Sequence, residues 1–176
     1  PSIRLYWRAR TYETYVNGQW FSSNLRTRSF NPETDDLPTP QQYGRWLGTF
    51  EFIAVAPIST MFTPAQPIWV SEPAQVDFFE DPDATLDVTN FRATPSLIPG
   101  HVYSVQAALT YATIAQLRAA NSEYPDWVKE RYLQLPESVT PRTRQLAEEI
   151  TFGLETPYDK AIAITNYLRK NITYVE

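Results

Sequence analysis

The hydrophobic period of this chain changes once, near residue 112, and that change limits what it can fold into. Before it, apolar and polar residues alternate in short runs separated by prolines, the pattern of half-buried strands. After it, apolar residues recur at three- and four-residue spacing behind Thr-Pro starts, the pattern of amphipathic helices. Strands and helices that are segregated along the chain point to an α+β fold and away from βαβ units. The expected organisation is a mainly-β, sandwich-like or barrel-like domain over 1–112 and a helical segment over 113–176.

Within the first part, Ile3-Arg4-Leu5-Tyr6-Trp7-Arg8-Ala9-Arg10 alternates apolar with basic residues and predicts a strand with an exposed arginine face. Residues 12–16 and 19–22 flank Asn17-Gly18, the strongest short-range hairpin signal, because a type I′ turn needs positive φ at both central positions. Residues 31–42 read as a proline-rich acidic loop. Further strands are expected over 46–56, 68–70, 75–80, 86–89 and 101–109. Prolines between them suit connections and sheet edges, where no ladder N–H is lost.

In the second part, Thr113-Ile114-Ala115-Gln116 has capping-box spacing and starts a short helix to about residue 120. Residues 125–132 read as another. Thr140-Pro141 and Thr156-Pro157 each place an N-cap before proline at the first helical position. They predict helices over 141–152, stopped by Gly153, and over 157–170, with Asn171 just past its end. Leu146, Ala147 and Ile150 form the apolar face of the first. The second carries Ala161, Ile162, Ala163, Ile164, Tyr167 and Leu168 over much of its circumference, so more than one neighbour should bury it.

Composition closes several routes. The 176 residues include no Cys and one His, which removes a thiol nucleophile, a disulfide framework and a thiolate metal centre. Net charge is −5, split as +4 over 1–30, −9 over 31–90 and zero over 91–176. An acidic chain neutralises phosphate poorly, so nucleic acid is not an expected partner. The longest apolar run, over residues 52–58, falls far short of the ~20 residues a bilayer span needs. Pro1 at the start and Tyr174-Val175-Glu176 at the end read as cut ends, with membrane segments expected elsewhere in the parent.

Few residues point to chemistry. His101 as a base for Ser104 fails on strand geometry, since residues three apart on a strand face opposite ways. Glu80-Asp81-Pro82-Asp83, with Asp87, offers hard oxygens for Ca²⁺ but lacks the glycine and distal glutamate of an EF-hand loop, so it reads as a solvated turn. No two of the 20 acids are placed across a cleft as a glycosidase requires. Trp7, Trp20, Trp46, Trp69 and Trp127 are able to stack on sugars, although packing is the commoner fate of each. Asn171-Ile172-Thr173 matches a glycosylation sequon, a short and unspecific pattern. No catalytic, cofactor-binding or metal-binding residue is assigned.

A set of short motifs adds to this. Tyr132-Leu133-Gln134-Leu135-Pro136, Arg144-Gln145-Leu146-Ala147, Thr156-Pro157-Tyr158-Asp159-Lys160-Ala161 and Tyr167-Leu168-Arg169, closed by Tyr174, resemble the approach to the catalytic core of bacterial transglutaminase-like proteins. Tyr6-Trp7-Arg8-Ala9-Arg10-Thr11-Tyr12, then Tyr15, Asn17-Gly18 and Trp20, resemble the ectodomain of that family's membrane-anchored branch. Residues 25–95 carry none of the likeness. The resemblance implies a papain-like domain in which a Cys thiolate, with His and Asp, attacks a Gln carboxamide or peptide carbonyl. Those three residues are expected downstream of Tyr174, so no residue here inherits a catalytic role and no transamidase or protease activity is expected.

The resemblance also implies an extracytoplasmic scaffold or substrate-positioning role. Expected partners are the catalytic core and membrane helices of its own parent and a protein or peptidoglycan-related substrate. Residues 160–176 should be mobile, or covered in a homodimer. The alternative is an independent β-sandwich module that binds glycan or protein.

Overall fold

The structure, a computed structural model, describes residues 5–39 and 44–173. Ile3, Arg4, the end of the 31–42 loop and Tyr174 lie outside the described residues. The chain is mixed α and β, with antiparallel sheets ahead of four helices among the described residues. It divides into two compact units. One holds the described residues of Pro1–Glu13 and Phe21–Tyr111; the other holds Thr14–Trp20 and the described residues of Ala112–Glu176.

The hairpin β1 (Thr14–Val16) and β2 (Gln19–Phe21) turns at Asn17 and Gly18, whose φ values of 51° and 79° are the positive pair that this dipeptide supplies. The first unit holds β3 (Arg26–Phe30), β4 (Arg45–Ile53), β5 (Ile58–Thr60), β6 (Pro67–Val70), β7 (Ala74–Glu80), β8 (Leu86–Leu97) and β9 (Val102–Thr110). These strands form a four-stranded sheet in the order β3-β7-β8-β5 and a three-stranded sheet in the order β4-β9-β6. Val76, Phe78, Val88 and Phe91 of the first sheet share one buried cluster with Val70, Tyr103 and Val105 of the second. Fully burying such a side chain contributes about 1.5–3 kcal/mol, so this cluster, with Phe30 and Met61, holds the unit together.

A polar group buried on the four-stranded sheet is matched. Asp77, register partner of Asn90, accepts from Thr27 Oγ1 at 2.6 Å and Arg92 Nη2 at 2.8 Å.

The strand expected at the start of the chain is not there in the described part. Residues 5–10 make a single bridge, Arg8 to Thr63. Arg8 is half-buried and donates from Nη2 to Val88 O at 3.0 Å, while Trp7 stays exposed. The basic residues therefore do not form one exposed face. Strands β3 and β5 were not expected from their residues, and β8 runs eight residues beyond its expected end at 89. Pro95 reads as a breaker there. The β5 pairing passes it because the register shifts between Ile58↔Leu97 and Thr60↔Arg92.

The second unit holds α1 (Ile114–Ala119), α2 (Asp126–Tyr132), α3 (Pro141–Thr151) and α4 (Pro157–Asn171). The capping box at Thr113 and Gln116 is formed, and Thr140 and Thr156 cap α3 and α4 onto Thr143 N and Asp159 N. Helix α4 runs through Asn171, whose Nδ2 donates to Tyr167 O, so Asn171 is the last helical residue and not a left-handed stop. The apolar face of α3 is as expected, with Leu146, Ala147 and Ile150 half-buried, together with Thr151. The further burial expected of α4 is missing: Ala161, Ile162 and Leu168 are exposed.

Asp159 joins two elements. It accepts from Thr156 Oγ1 at 2.8 Å and from Arg118 of α1, whose Nη2 lies 2.9 Å away. The hydrogen bond from Arg118, then that from Thr156, hold its carboxyl below the usual range. The folded pKa is depressed, so this contribution is present above an ordinary aspartate pKa and is lost as pH falls through the folded value. Replacing Thr156 by Ala leaves an orphan N–H at the start of α4 and is expected to cost about 1 kcal/mol. Helical ellipticity followed through thermal unfolding checks it; an unchanged helical transition would count against the cap.

Candidate functional site

Among the described residues, three depressions of the first unit stand out. One, of about 220 Å³, is lined by Arg8, Arg45, Gln66 and Asp87, and its cations are engaged: Arg8 with Val88 O, Arg45 Nη1 with Gln66 Oε1. The second, of about 230 Å³, is lined by Glu72, Pro95, Ile98 and His101. There His101 Nε2 lies 3.0 Å from Glu72 Oε1 without the alignment of a hydrogen bond.

The third is an apolar groove of about 290 Å³ formed by Trp7, residues 52–56, Ile58, Phe62 and Tyr103. Its floor is a stack of Phe52 on Tyr103, register partners on β4 and β9 with ring centroids 5.3 Å apart and nearly parallel. Trp7 sets its edge against Phe52 at 5.2 Å and Phe50 at 5.8 Å, and remains 51% exposed. Tyr103 fixes one wall, since its hydroxyl accepts from Phe62 N at 2.9 Å and donates to Phe62 O at 3.1 Å. Ile53 and Val55 stand 64% and 89% exposed at the rim.

Among the described residues no carboxylate, imidazole or cation lines this groove, and its lining is apolar but for the Tyr103 hydroxyl. The one hydroxyl in it is spent on the backbone of Phe62. At about 290 Å³ it lies at the lower end of ligand pockets and suits one or two apolar side chains.

The residues singled out in the sequence are scattered. His101 reaches Glu72, whereas the backbone of Ser104 pairs with Ser71, its N donating to Ser71 Oγ and its O accepting from Ser71 N. Glu80 pairs with Arg26, and Asp83 accepts from Thr85 Oγ1 at 2.7 Å. Among the described residues no three His, Asp or Glu side chains are grouped to hold a metal. Trp69 donates to Pro32 O, Trp127 lies under Arg131 and Trp20 leans on Tyr15, so Trp7 alone of the five lines the groove.

The groove itself was not assigned from the sequence, yet a signal was present. Phe52-Ile53-Ala54-Val55 is apolar at both strand parities, so one parity must face solvent or a partner. Among the described residues no helix is long and apolar enough to cross a membrane. No family model matches the chain, and neither curated proteins nor solved structures yield a match.

Proposed function

We propose that this chain is a non-catalytic, extracytoplasmic segment of a transglutaminase-like membrane protein, acting as a scaffold or substrate-positioning domain. The observation that carries the reading is the state of the helices: none of α1 to α4 buries a residue. Helices in proteins draw most of their stability from tertiary packing of an apolar face. Helices this bare suit a unit whose apolar faces meet further protein, here the remainder of a papain-like core.

Of the motifs that prompted the reading, Arg144 and Leu146 on α3 and Tyr167, Leu168 and Arg169 on α4 lie on this unit, whereas Tyr6 to Tyr12 lies on the first. A chain without Cys supplies no thiolate, which leaves these residues a supporting role. The proposed partners are the rest of the same polypeptide and its protein or peptidoglycan-related substrate.

Hydrogen exchange on the chain alone tests this. Amides of α3 and α4 should exchange far faster than those of β7 and β8, whose side chains fill the core. Equal protection in both units would mark the helical unit as self-sufficient and sink the reading.

The groove favours a second reading, an independent binding module for protein or glycan. Its lining lacks the free polar groups that fix a sugar hydroxyl, so an apolar peptide side chain is the better occupant. Calorimetry with an aromatic-rich peptide and with oligosaccharides separates the two ligands. Peptide heat that vanishes on Trp7→Ala supports the module; heat from the sugars alone, or none, removes this form of it.

A further inference from the structure

We propose that two copies of this chain associate through β4, pairing antiparallel about a two-fold axis at Gly48 and joining two three-stranded sheets into one. Four strands end the two sheets: β3, β5, β4 and β6. Three of these edges carry devices that discourage pairing. Strand β3 presents Arg26 and Arg28, β5 is three residues long, and β6 is short and opens on Pro67. Strand β4 has nine residues and neither proline nor lysine.

The free edge of β4 is legible from its hydrogen bonds. Ala54 N donates to His101 O, on the β9 side. By antiparallel alternation, positions 46, 48, 50 and 52 bond β9, while 45, 47, 49, 51 and 53 turn N–H and C=O outward. The side chains of 47, 49, 51 and 53 are exposed, Leu47 at 63%. Among the described residues no strand pairs with this side.

The sequence of β4 is complementary to itself in one register. With the axis at Gly48, Arg45 faces Glu51 of the second copy and Glu51 faces its Arg45. Trp46 faces Phe50, Leu47 faces Thr49, and Gly48 meets Gly48. Two opposite-charge pairs and two aromatic pairs thus form at once, the cross-strand combinations that stabilise a ladder. Within one copy Arg45 gives Nη1 to Gln66 Oε1, so its guanidinium turns to the carboxylate only on association.

Shifting the axis to Thr49 sets Arg45 against Ile53 and Leu47 against Glu51, leaving both charges unpaired. An axis between two residues would set outward-facing amides against inward-facing ones, so the bonds would not form.

Sedimentation equilibrium over a concentration series tests the proposal, with circular dichroism to confirm that each variant folds. The unaltered chain should pass from monomer to dimer. Glu51→Arg and Arg45→Glu each place like charges opposite one another and should weaken the dimer about tenfold or more. The double variant Arg45→Glu/Glu51→Arg swaps the charges and should restore it, and Thr49→Lys should abolish it. Amides of Leu47, Thr49, Glu51 and Ile53 should slow their exchange as concentration rises. A monomer at every concentration overturns the proposal. A dimer indifferent to both single reversals, or one lost instead on Leu168→Glu, overturns it equally.

Discussion

Gly48→Ala is expected to destabilise the first unit by about 1–3 kcal/mol, the cost of overpacking a fitted site. At an open strand position the same change stabilises by about 0.4–1 kcal/mol, because it narrows the unfolded ensemble. The sign reverses here because Gly48 lies under two rings from its own strand. A Cβ would stand 2.5 Å from Trp46 Cζ3 and 2.9 Å from Phe50 Cε2. Phe50 in turn carries the edge of Trp7, so the rings have to move together. Chemical denaturation at low protein concentration gives the loss, and near-ultraviolet circular dichroism reports the displaced indole. In a Trp46→Ala background the penalty should shrink, since the closest ring atom is gone. A Gly48→Ala chain as stable as the parent would mean that the rings do not rest on the glycine.

The legible part of the fold was what local rules dictate. Asn17-Gly18 forces its own turn geometry, and Thr113, Thr140 and Thr156 satisfy helix N–H groups from adjacent sequence, so these elements follow from residues alone. The illegible part depends on distant partners. Strand β3 reads Arg-Thr-Arg-Ser-Phe, poor strand composition by itself. It is a strand because β7 supplies Glu80 for Arg26 and Asp77 for Thr27. The extension of β8 past Pro95 needs the shifted register of β5, fixed more than thirty residues earlier in the chain. At the start the error ran the other way. Alternation over 3–10, broken only at Tyr6, predicted a strand, but Arg8 spends its side chain on Val88 O and Trp7 spends its ring on β4. The groove needed the fold as well, since it forms where Phe62 and Tyr103, forty-one residues apart, share hydrogen bonds.

That pair bears the second large effect. Tyr103→Phe keeps the stack on Phe52 and removes one oxygen, yet it strips a partner from both Phe62 N–H and Phe62 C=O. These bonds are part-buried and Phe62 is 45% exposed, so losing them costs about 0.5–1.5 kcal/mol each. Tyr103→Ala also opens a cavity beside Phe52 and should cost about 3–5 kcal/mol. The difference between the two variants separates the packing of the ring from the bonds of its hydroxyl.

An alkaline signature identifies the hydroxyl further. Burial, the larger effect, raises the Tyr103 pKa above that of an ordinary phenol, against the opposing hydrogen bond with the Phe62 backbone. A raised folded pKa means that the unfolded chain loses this proton first. Its contribution is therefore complete below a normal tyrosine pKa near 10 and falls as pH rises through the folded value. Denaturation midpoints of the parent should drop more steeply above that point than those of Tyr103→Phe, while the two curves run parallel at neutral pH. Curves parallel across the whole alkaline range would place the Tyr103 hydroxyl in water and leave the Phe62 wall of the groove without its anchor.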